Sequence, residues 1–481
     1  MDEELQDILD FANKPLTYII DMLKDKAVSL QDWQKLLVDY EPTLHPILKD
    51  HENLKDKHRK DGTTEKSSRI CIGLEKLLSK RFDEFTFSIP VKRVYNNIND
   101  NATRQEIASA IEAIYTNTHI NSVNLKRGLM LYASCSIFTI WYAVKKDNDL
   151  YGFHSNFKLK CKTYSPMNGV SLYPLINELD DMLAMSFEYT KNIDNKDVTF
   201  FETYTASKHY VWKNNLSAGG WEPVTLNSDT GEQGEDIILL GKIPGAFAYL
   251  QQPVYFGLTA LRSEIEYALS RNSNVIAYNA APIIKVAGAI KGEEHKGESS
   301  RVWRTENGGD VSYVSWNQAI EALKYHVDTM LKLYWMQAQI PDISFENMKG
   351  LGSIGFDARQ TLLMDAHLKV GDVSGLWIEF FERECNVIKA FLAILNPKWA
   401  KEIPNVVVDH VITPYVQNDE SAQITMRLKA NGGKAIESQL ESIERFGKSD
   451  DAQATLEQIQ KENSAEAKSR ADAFNLDNQT V

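Results

Sequence analysis

Gly350-Leu351-Gly352-Ser353-Ile354-Gly355 is the segment whose residue types and spacing most invite a chemical reading. It fits G-x-G-x-x-G, the glycine loop that lets a backbone approach a pyrophosphate. That fingerprint needs an apolar strand directly before it and a βαβ unit around it. The preceding residues, Pro341 to Lys349, are polar and loop-like, so the pattern does not specify a nucleotide site. The glycines then serve either as backbone freedom in a loop or as a simple turn between helices. No G-x-x-x-x-G-K-[ST] occurs. The chain carries no phosphate cradle of the ATPase type, and a motor role would fall to a partner.

Asp180 and Asp181 could suggest a metal site, but neighbours on a strand point to opposite faces, and a turn or strand edge accounts for them better. His51 and His58 sit among lysines in a charged stretch and read as solvated. No Ser/His/Asp set can be assembled from local signatures. No catalytic residue, metal ligand or cofactor is therefore expected. Trp316, Tyr325, Tyr334 and Trp335 could stack on bases, although aromatic residues at helical spacing are more often packing residues. Lys285, Lys291, Lys296, Arg301 and Arg304 are matched by Glu293, Glu294, Glu298, Glu306 and Asp310, a balance that suits protein docking better than a grip on DNA.

Composition narrows the classes further. The 481 residues are 43% hydrophobic and 25% charged, which permits a substantial core and excludes a disordered chain. The formal net charge of −13 argues against gathering nucleic acid over the general surface, since phosphate neutralisation needs concentrated Lys and Arg. Cys71, Cys135, Cys161 and Cys385 form no CxxC pair and read as reduced, buried thiols. The acidic N-terminus has no apolar signal core. The apolar run from Gly128 to Val144 is interrupted by Ser134, Ser136 and Thr139, and reads as a buried helix running into a strand rather than a bilayer span.

The elements that must position these residues follow from periodicity. Leu5, Ile8 and Leu9 form one helical stripe, and a second runs from Tyr18 to Leu23. The charged run from His51 to Lys66 is an exposed turn or loop. Ser68 to Phe82 is helical, with Ile70, Leu74, Leu77 and Leu78 on one face. Phe85 to Ile89 alternates and reads as a strand. Thr103 to Ala133 reads as two helices, the first started by the capping-box spacing of Thr103 and Glu106. Strands are expected over Ser136–Lys145, Gly152–Lys162, Leu183–Thr190, Val198–Tyr204 and Lys208–Lys213, giving an α+β body with an antiparallel sheet.

Pro253 opens a different region. Val254 to Tyr278 reads as one long helix spanning roughly 37 Å, ended by Pro282. Short strands follow at Ile283–Val286, Val302–Arg304 and Val311–Val314, with a charged loop through Gly292 and Gly297. A second long helix runs from about Trp316 to Gln339 and Pro341 breaks it. A third covers about Phe356 to Leu395, and Gly371 and Gly375 inside it predict a kink or break. Val406–Val408 and Val411–Ile412 form a last strand. The rest, from Asp419, is polar and helical, with fraying expected past about Glu462.

Four stretches carry a resemblance to a known family. The first is Ser134-Cys135-Ser136-Ile137-Phe138-Thr139-Ile140-Trp141-Tyr142-Ala143-Val144, followed by Asp147 to Tyr151. The second is Tyr164-Ser165-Pro166 through Leu172-Tyr173-Pro174, then Asp180-Asp181. The third is Lys242-Ile243-Pro244, then Pro253-Val254-Tyr255-Phe256-Gly257-Leu258 and a helix ending Asn279-Ala280-Ala281-Pro282. The fourth is Trp335-Met336-Gln337-Ala338-Gln339-Ile340-Pro341-Asp342-Ile343-Ser344. In this order, over about residues 15 to 460, they resemble the portal proteins of tailed bacteriophages, in the siphophage-type branch. The chain departs from that pattern in a compact segment from Ile283 to Ser315, and in carrying a Ser-Gly-Ala-type helix start only as Ser353-Ile354-Gly355.

The resemblance implies a portal fold: a wing over 1–252, a first stem helix over 253–281, a clip over 282–315 and a second stem helix over 316–340. It further implies a tunnel loop over 341–355, a long kinked wing helix with its return strand over 356–418 and a helical crown over 419–481. It implies a ring of twelve at the capsid vertex, with double-stranded DNA passing through. The partners implied are the large terminase ATPase, a head–tail adaptor, and the major capsid and scaffolding proteins, with no membrane. Ser344, Phe345, Glu346, Asn347, Met348, Lys349, Gly350, Leu351 and Gly352 would face DNA. Lys285, Lys291, Lys296, Arg301 and Arg304 would belong to the docking clip. Assembly would take place in the host cytoplasm and the product would reside in the virion. Two rivals stay open: another virion connector or scaffold protein, and a metal-dependent nuclease.

Overall fold

The computed structural model describes residues 3–58, 62–98, 101–215, 220–224, 235–279, 283–287, 290–295, 301–305, 310–314, 320–342, 361, 363–415, 438–446 and 451–477. The chain divides into two compact units, one of Met1–Ile343 with Leu363–Tyr415, the other of Ser344–Leu362 with Val416–Val481.

The first unit opens with α1 (Glu3–Ile8), α2 (Leu16–Asp25) and α3 (Trp33–Tyr40), then a two-residue ribbon of β1 (Lys57–His58) and β2 (Thr64–Glu65) inside the charged run. Next come α4 (Leu74–Phe87), β3 (Lys92–Asn96), α5 (Ala102–Asn117) and α6 (Ile120–Ser134). Phe85 to Phe87 end α4 rather than forming a strand. Phe82, Phe85, Thr86 and Phe87 are all buried, so the apolar face at this end of the helix is broad, and only Arg81 and Glu84 mark the polar side from which a helical period could be read. The helix begins at Leu74, so Ile70 lies outside it, and Leu77 is exposed. Asn101, not Thr103, caps α5: its Oδ1 accepts from the Thr103 N–H at 2.9 Å and the Arg104 N–H at 3.4 Å.

Cys135, with φ 66, turns the chain out of α6 directly into β4 (Ser136–Asn148). There follow β5 (Ser155–Tyr164), β6 (Val170–Ile176), β7 (Met182–Ile193), β8 (Lys196–Thr205), β9 (Lys208–Asn215), β10 (Gly220–Pro223), β11 (Glu235–Ile237) and β12 (Gly245–Tyr249). The larger sheet runs β10-β9-β8-β7-β6 with β11 also on β9, and the smaller runs β12-β4-β5, all antiparallel. One face of the larger sheet takes the stripes of α1 and α2 against Leu175, Ala184, Phe201 and Trp212. Its other face packs Leu172, Met185 and Phe187 on Phe138, Ile140 and Phe247. β5 is the outer strand of the smaller sheet, with Lys158, Lys160 and Lys162 at alternate positions along it.

A turn at Pro253–Leu258, with Gly257 at φ +80, delays the first long helix, α7, to Thr259–Asn279. Beyond it lie four strands: β13 (Ile283–Ala287), β14 (Ile290–His295), β15 (Arg301–Thr305) and β16 (Asp310–Val314). β14 occupies part of the stretch expected as a charged loop. β13 pairs with β16 and β14 with β15, so one hairpin is nested in the other. α8 (Ile320–Ala338) follows. α9 (Met364–Leu395) is helical without interruption through Gly371 and Gly375. The break expected there is absent, because two isolated glycines lower helix propensity without removing a backbone hydrogen bond. β17 (Val407–Val411) pairs with β3. In the second unit, α10 (Gln439–Phe446) is followed by α11 (Ala452–Asp477), which stays helical well past Glu462.

Candidate functional site

α7 and α8 bury side chains in the halves that adjoin the core. On α7, Arg262, Ile265, Glu266, Ala268 and Ser270 are buried, whereas Ile276 is exposed; on α8, Tyr334 and Ala338 are buried and Tyr325 is exposed. α7 spans about 32 Å and α8 about 28 Å; among the described residues α7 has none buried past Ser270, and α8 has none buried before Tyr334.

A charge cluster grips the root of α7. Arg262 donates from Nε to Glu75 Oε1 at 3.0 Å, from Nη1 to Glu266 Oε2 at 3.1 Å and from Nη2 to Asp39 Oδ1 at 2.9 Å. Glu266 Oε1 also accepts from the Ile72 N–H at 2.9 Å and lies 2.6 Å from His45 Nδ1. Burial raises the Glu75 carboxyl, against the opposing pull of Arg262. Farther along, Ser270 Oγ accepts from Ile70 N–H and Asn274 Oδ1 from Ser68 N–H, so an extended strip of chain is stitched to one side of the helix. Such a cluster costs desolvation, offset by the bonds from Arg262 and the Ile72 N–H, although Glu75 Oε2 is buried without a hydrogen-bond partner. It fixes geometry rather than performing chemistry.

The root of α8 is held differently. Lys369 on α9 donates to the carbonyl of Ala338, the last residue of α8, at 2.7 Å. A second pair joins α6 to α9, where Arg127 donates twice to Glu384 at 2.7 and 3.0 Å and Trp141 Nε1 donates to the same carboxylate at 3.0 Å. Trp377 Nε1 donates to Tyr132 OH, which donates to Thr86 Oγ1. Of these residues only Arg262 and Glu266 left a sequence signal, an i,i+4 pair beside an apolar stripe. The rest depend on contacts between distant parts of the chain.

The predicted site residues divide sharply. Lys285 lies on β13 opposite Ser312, Lys291 at the irregular point of β14, and Arg301 and Arg304 on β15 opposite His295 and Gly292. Lys296 lies outside the described residues, as do Ser344, Phe345, Glu346, Asn347, Met348, Lys349, Gly350, Leu351 and Gly352. Asp180 and Asp181 sit in the turn between β6 and β7, organised by Asn177, whose Oδ1 accepts from Leu179 and Asp181 N–H. No His/Cys/Asp/Glu group able to hold a metal occurs among the described residues. Tyr334 and Trp335 are packing residues; Trp316 is outside the described residues. All four thiols are free, but Cys71 and Cys161 are half-buried, not buried. A cleft of about 840 Å³ is lined by Tyr142, Phe157, Leu239, Phe391 and the stacked Tyr204–His209 pair. His209 is committed to Glu202, His154 to Asp149 and the Ser155 hydroxyl to Phe157 O.

The family model for phage portal proteins, SPP1 Gp6-like, matches residues 17–469. The chain belongs to this portal family. No curated protein matches it individually. Portals are structural proteins, not an enzyme family; they form an oligomeric ring at a capsid vertex, and DNA passes through it. As a portal, the chain is a component of the virion vertex, and no helix among the described residues is long and apolar enough to cross a membrane.

Proposed function

We propose that this portal closes as a ring of twelve, channels DNA during packaging and ejection, and presents the strands between its two long helices to the packaging machinery. The observation that carries this reading is the nested pairing of β13 with β16 and β14 with β15. A segment that leaves α7 and returns to α8 in this way forms a small closed tip on two rods. On this reading α7 and α8 are the stem and 282–315 is the clip. Lys285, Lys291, Lys296, Arg301 and Arg304, balanced by carboxylates, serve protein docking there, first to the large terminase ATPase and later to the head–tail adaptor. The absence of a Walker-type loop from the sequence fits a motor carried by that partner.

Residues 1–252 and 356–418 make up the wing, which meets the major capsid and scaffolding proteins during assembly in the host cytoplasm. Residues 419–481 make up the crown, and Ser344 to Gly352, within 341–355, the tunnel loop. Contacts between copies are head-to-tail, the kind that close into rings. A net charge of −13 suits a channel that guides phosphate without gripping it. The chain itself catalyses nothing. Electron micrographs of the purified protein should show rings with a central hole, and compact single molecules at every concentration would refute the proposal. Deleting Phe345 to Leu351 should leave rings intact while impairing packaging or retention of DNA; loss of ring assembly would count against the loop's role.

A further inference from the structure

Lys369 is a half-buried cation with no carboxylate at ion-pair distance among the described residues. Its ammonium donates to Ala338 O at 2.7 Å and reaches Val254 O at 3.4 Å, and it lies 5.4 Å from the centre of the Phe82 ring. The two carbonyls mark where the chain enters and where it leaves the long-helix pair. Val254 belongs to the turn that delivers the chain to α7, and Ala338 is the last residue of α8. The carbonyls of a helix's last turn have no partner within the helix. Here Gln339 leaves the helical path at φ 57 and Pro341 has no N–H to offer. A cation at this point satisfies an orphan carbonyl and meets the negative end of the helix dipole.

Desolvation lowers the Lys369 ammonium to about 8. A methionine of similar length would fill the same space without that cost, so packing alone does not account for a lysine. What the lysine adds is direction: several donors on one atom, used to join three segments at a point.

We infer that Lys369 is a positioning residue that fastens the entry of α7 and the exit of α8 to α9, so that the paired long helices are carried by α9. Arg262 holds α7 to Glu75 of α4 and Asp39 of α3 by side chains alone. Lys369 holds backbone, and is the described side chain that bonds to both ends of the pair. A displacement of α9 therefore moves both roots together.

Hydrogen exchange on the assembled full-length ring tests this, comparing wild type with Lys369→Met and Lys369→Arg. In Lys369→Met, peptides covering 254–262 and 334–342 should exchange about ten-fold faster or more, while those covering 377–392 keep wild-type protection. Lys369→Arg, which retains charge and donors, should restore most of that protection. Unchanged exchange at both roots in Lys369→Met overturns the inference. So does acceleration spread evenly over 377–392, which marks general loss of packing, and so does a folded Lys369→Arg that exchanges like Lys369→Met. If Lys369→Met forms no ring, wild type and both variants are compared as dissociated chains against the same outcomes.

Discussion

Arg127 and Glu384, 257 positions apart, meet as a two-pronged pair at 2.7 and 3.0 Å with both side chains almost wholly shielded from water. The guanidinium also lies 4.7 Å from the Phe380 ring centre. This contact binds α6 to α9, while the Trp141 indole ties β4 to the same carboxylate. Removing one partner leaves a buried charge unanswered. Glu384→Gln or Arg127→Met should each lower stability by about 3–5 kcal/mol. The double variant Arg127→Met with Glu384→Leu should recover much of that loss. Urea denaturation followed by tryptophan fluorescence gives the comparison, and additive losses would contradict it.

Arg262 serves three carboxylates, so its replacement should be harsher than that of any one partner. Arg262→Met strands Glu75 and Glu266 together, and a loss of about 3–5 kcal/mol is expected. Asp39→Asn, at the more exposed edge of the cluster, should cost about 1 kcal/mol or less. Thermal unfolding of the two variants side by side checks the order.

Asp83 gives a pH signature. Burial pushes its carboxyl up to about 8, from 3.8 when unfolded, and its Oδ1 has no hydrogen-bond partner. The folded state thus favours the protonated form. The resulting stability is complete below about pH 4 and is lost as pH rises through 8, by at most about 1.4 kcal/mol per pH unit. Asp83→Asn should flatten this dependence and be the more stable protein above pH 8. Melting temperatures from pH 4 to 9 measure it; parallel curves would exclude the assignment.

Gly371 and Gly375 make a milder case. A Cβ built at either meets nothing within 4 Å, and the helix passes through both. Gly371→Ala and Gly375→Ala should each raise the stability of the unassembled chain by about 0.5–1 kcal/mol. Calorimetry of the dissociated protein tests this, and destabilisation by either would mean that the glycines answer a strain in the helix.

The order of elements was readable because most of them carry one period each. β8 alternates from Phe201 to Thr205, and α1 and α2 show clean apolar stripes against the larger sheet. Errors fell where tertiary surroundings override the local pattern. Phe82, Phe85, Thr86 and Phe87 at the end of α4 are all buried, so Phe85 and Phe87 mimic strand alternation. Asn101 outcompetes Thr103 as a cap because it stands at the actual helix start. The site was less readable than the fold. Arg262 meets Glu75 and Asp39 across 187 and 223 positions, and no local spacing encodes such meetings. Lys369 gave no signal, since its partners are carbonyls that every residue possesses.

The lysines along β5 have a bearing on how copies behave before they find one another. An outer strand offers amides and carbonyls along its free edge, a template on which another extended chain could add; on β5 the Tyr151 hydroxyl already takes the Leu159 N–H. With Lys158, Lys160 and Lys162 spaced along it, an identical strand laid alongside would bring like charges into register. That repulsion disfavours edge-to-edge joining of newly made subunits and leaves association to the surfaces that build a closed particle component.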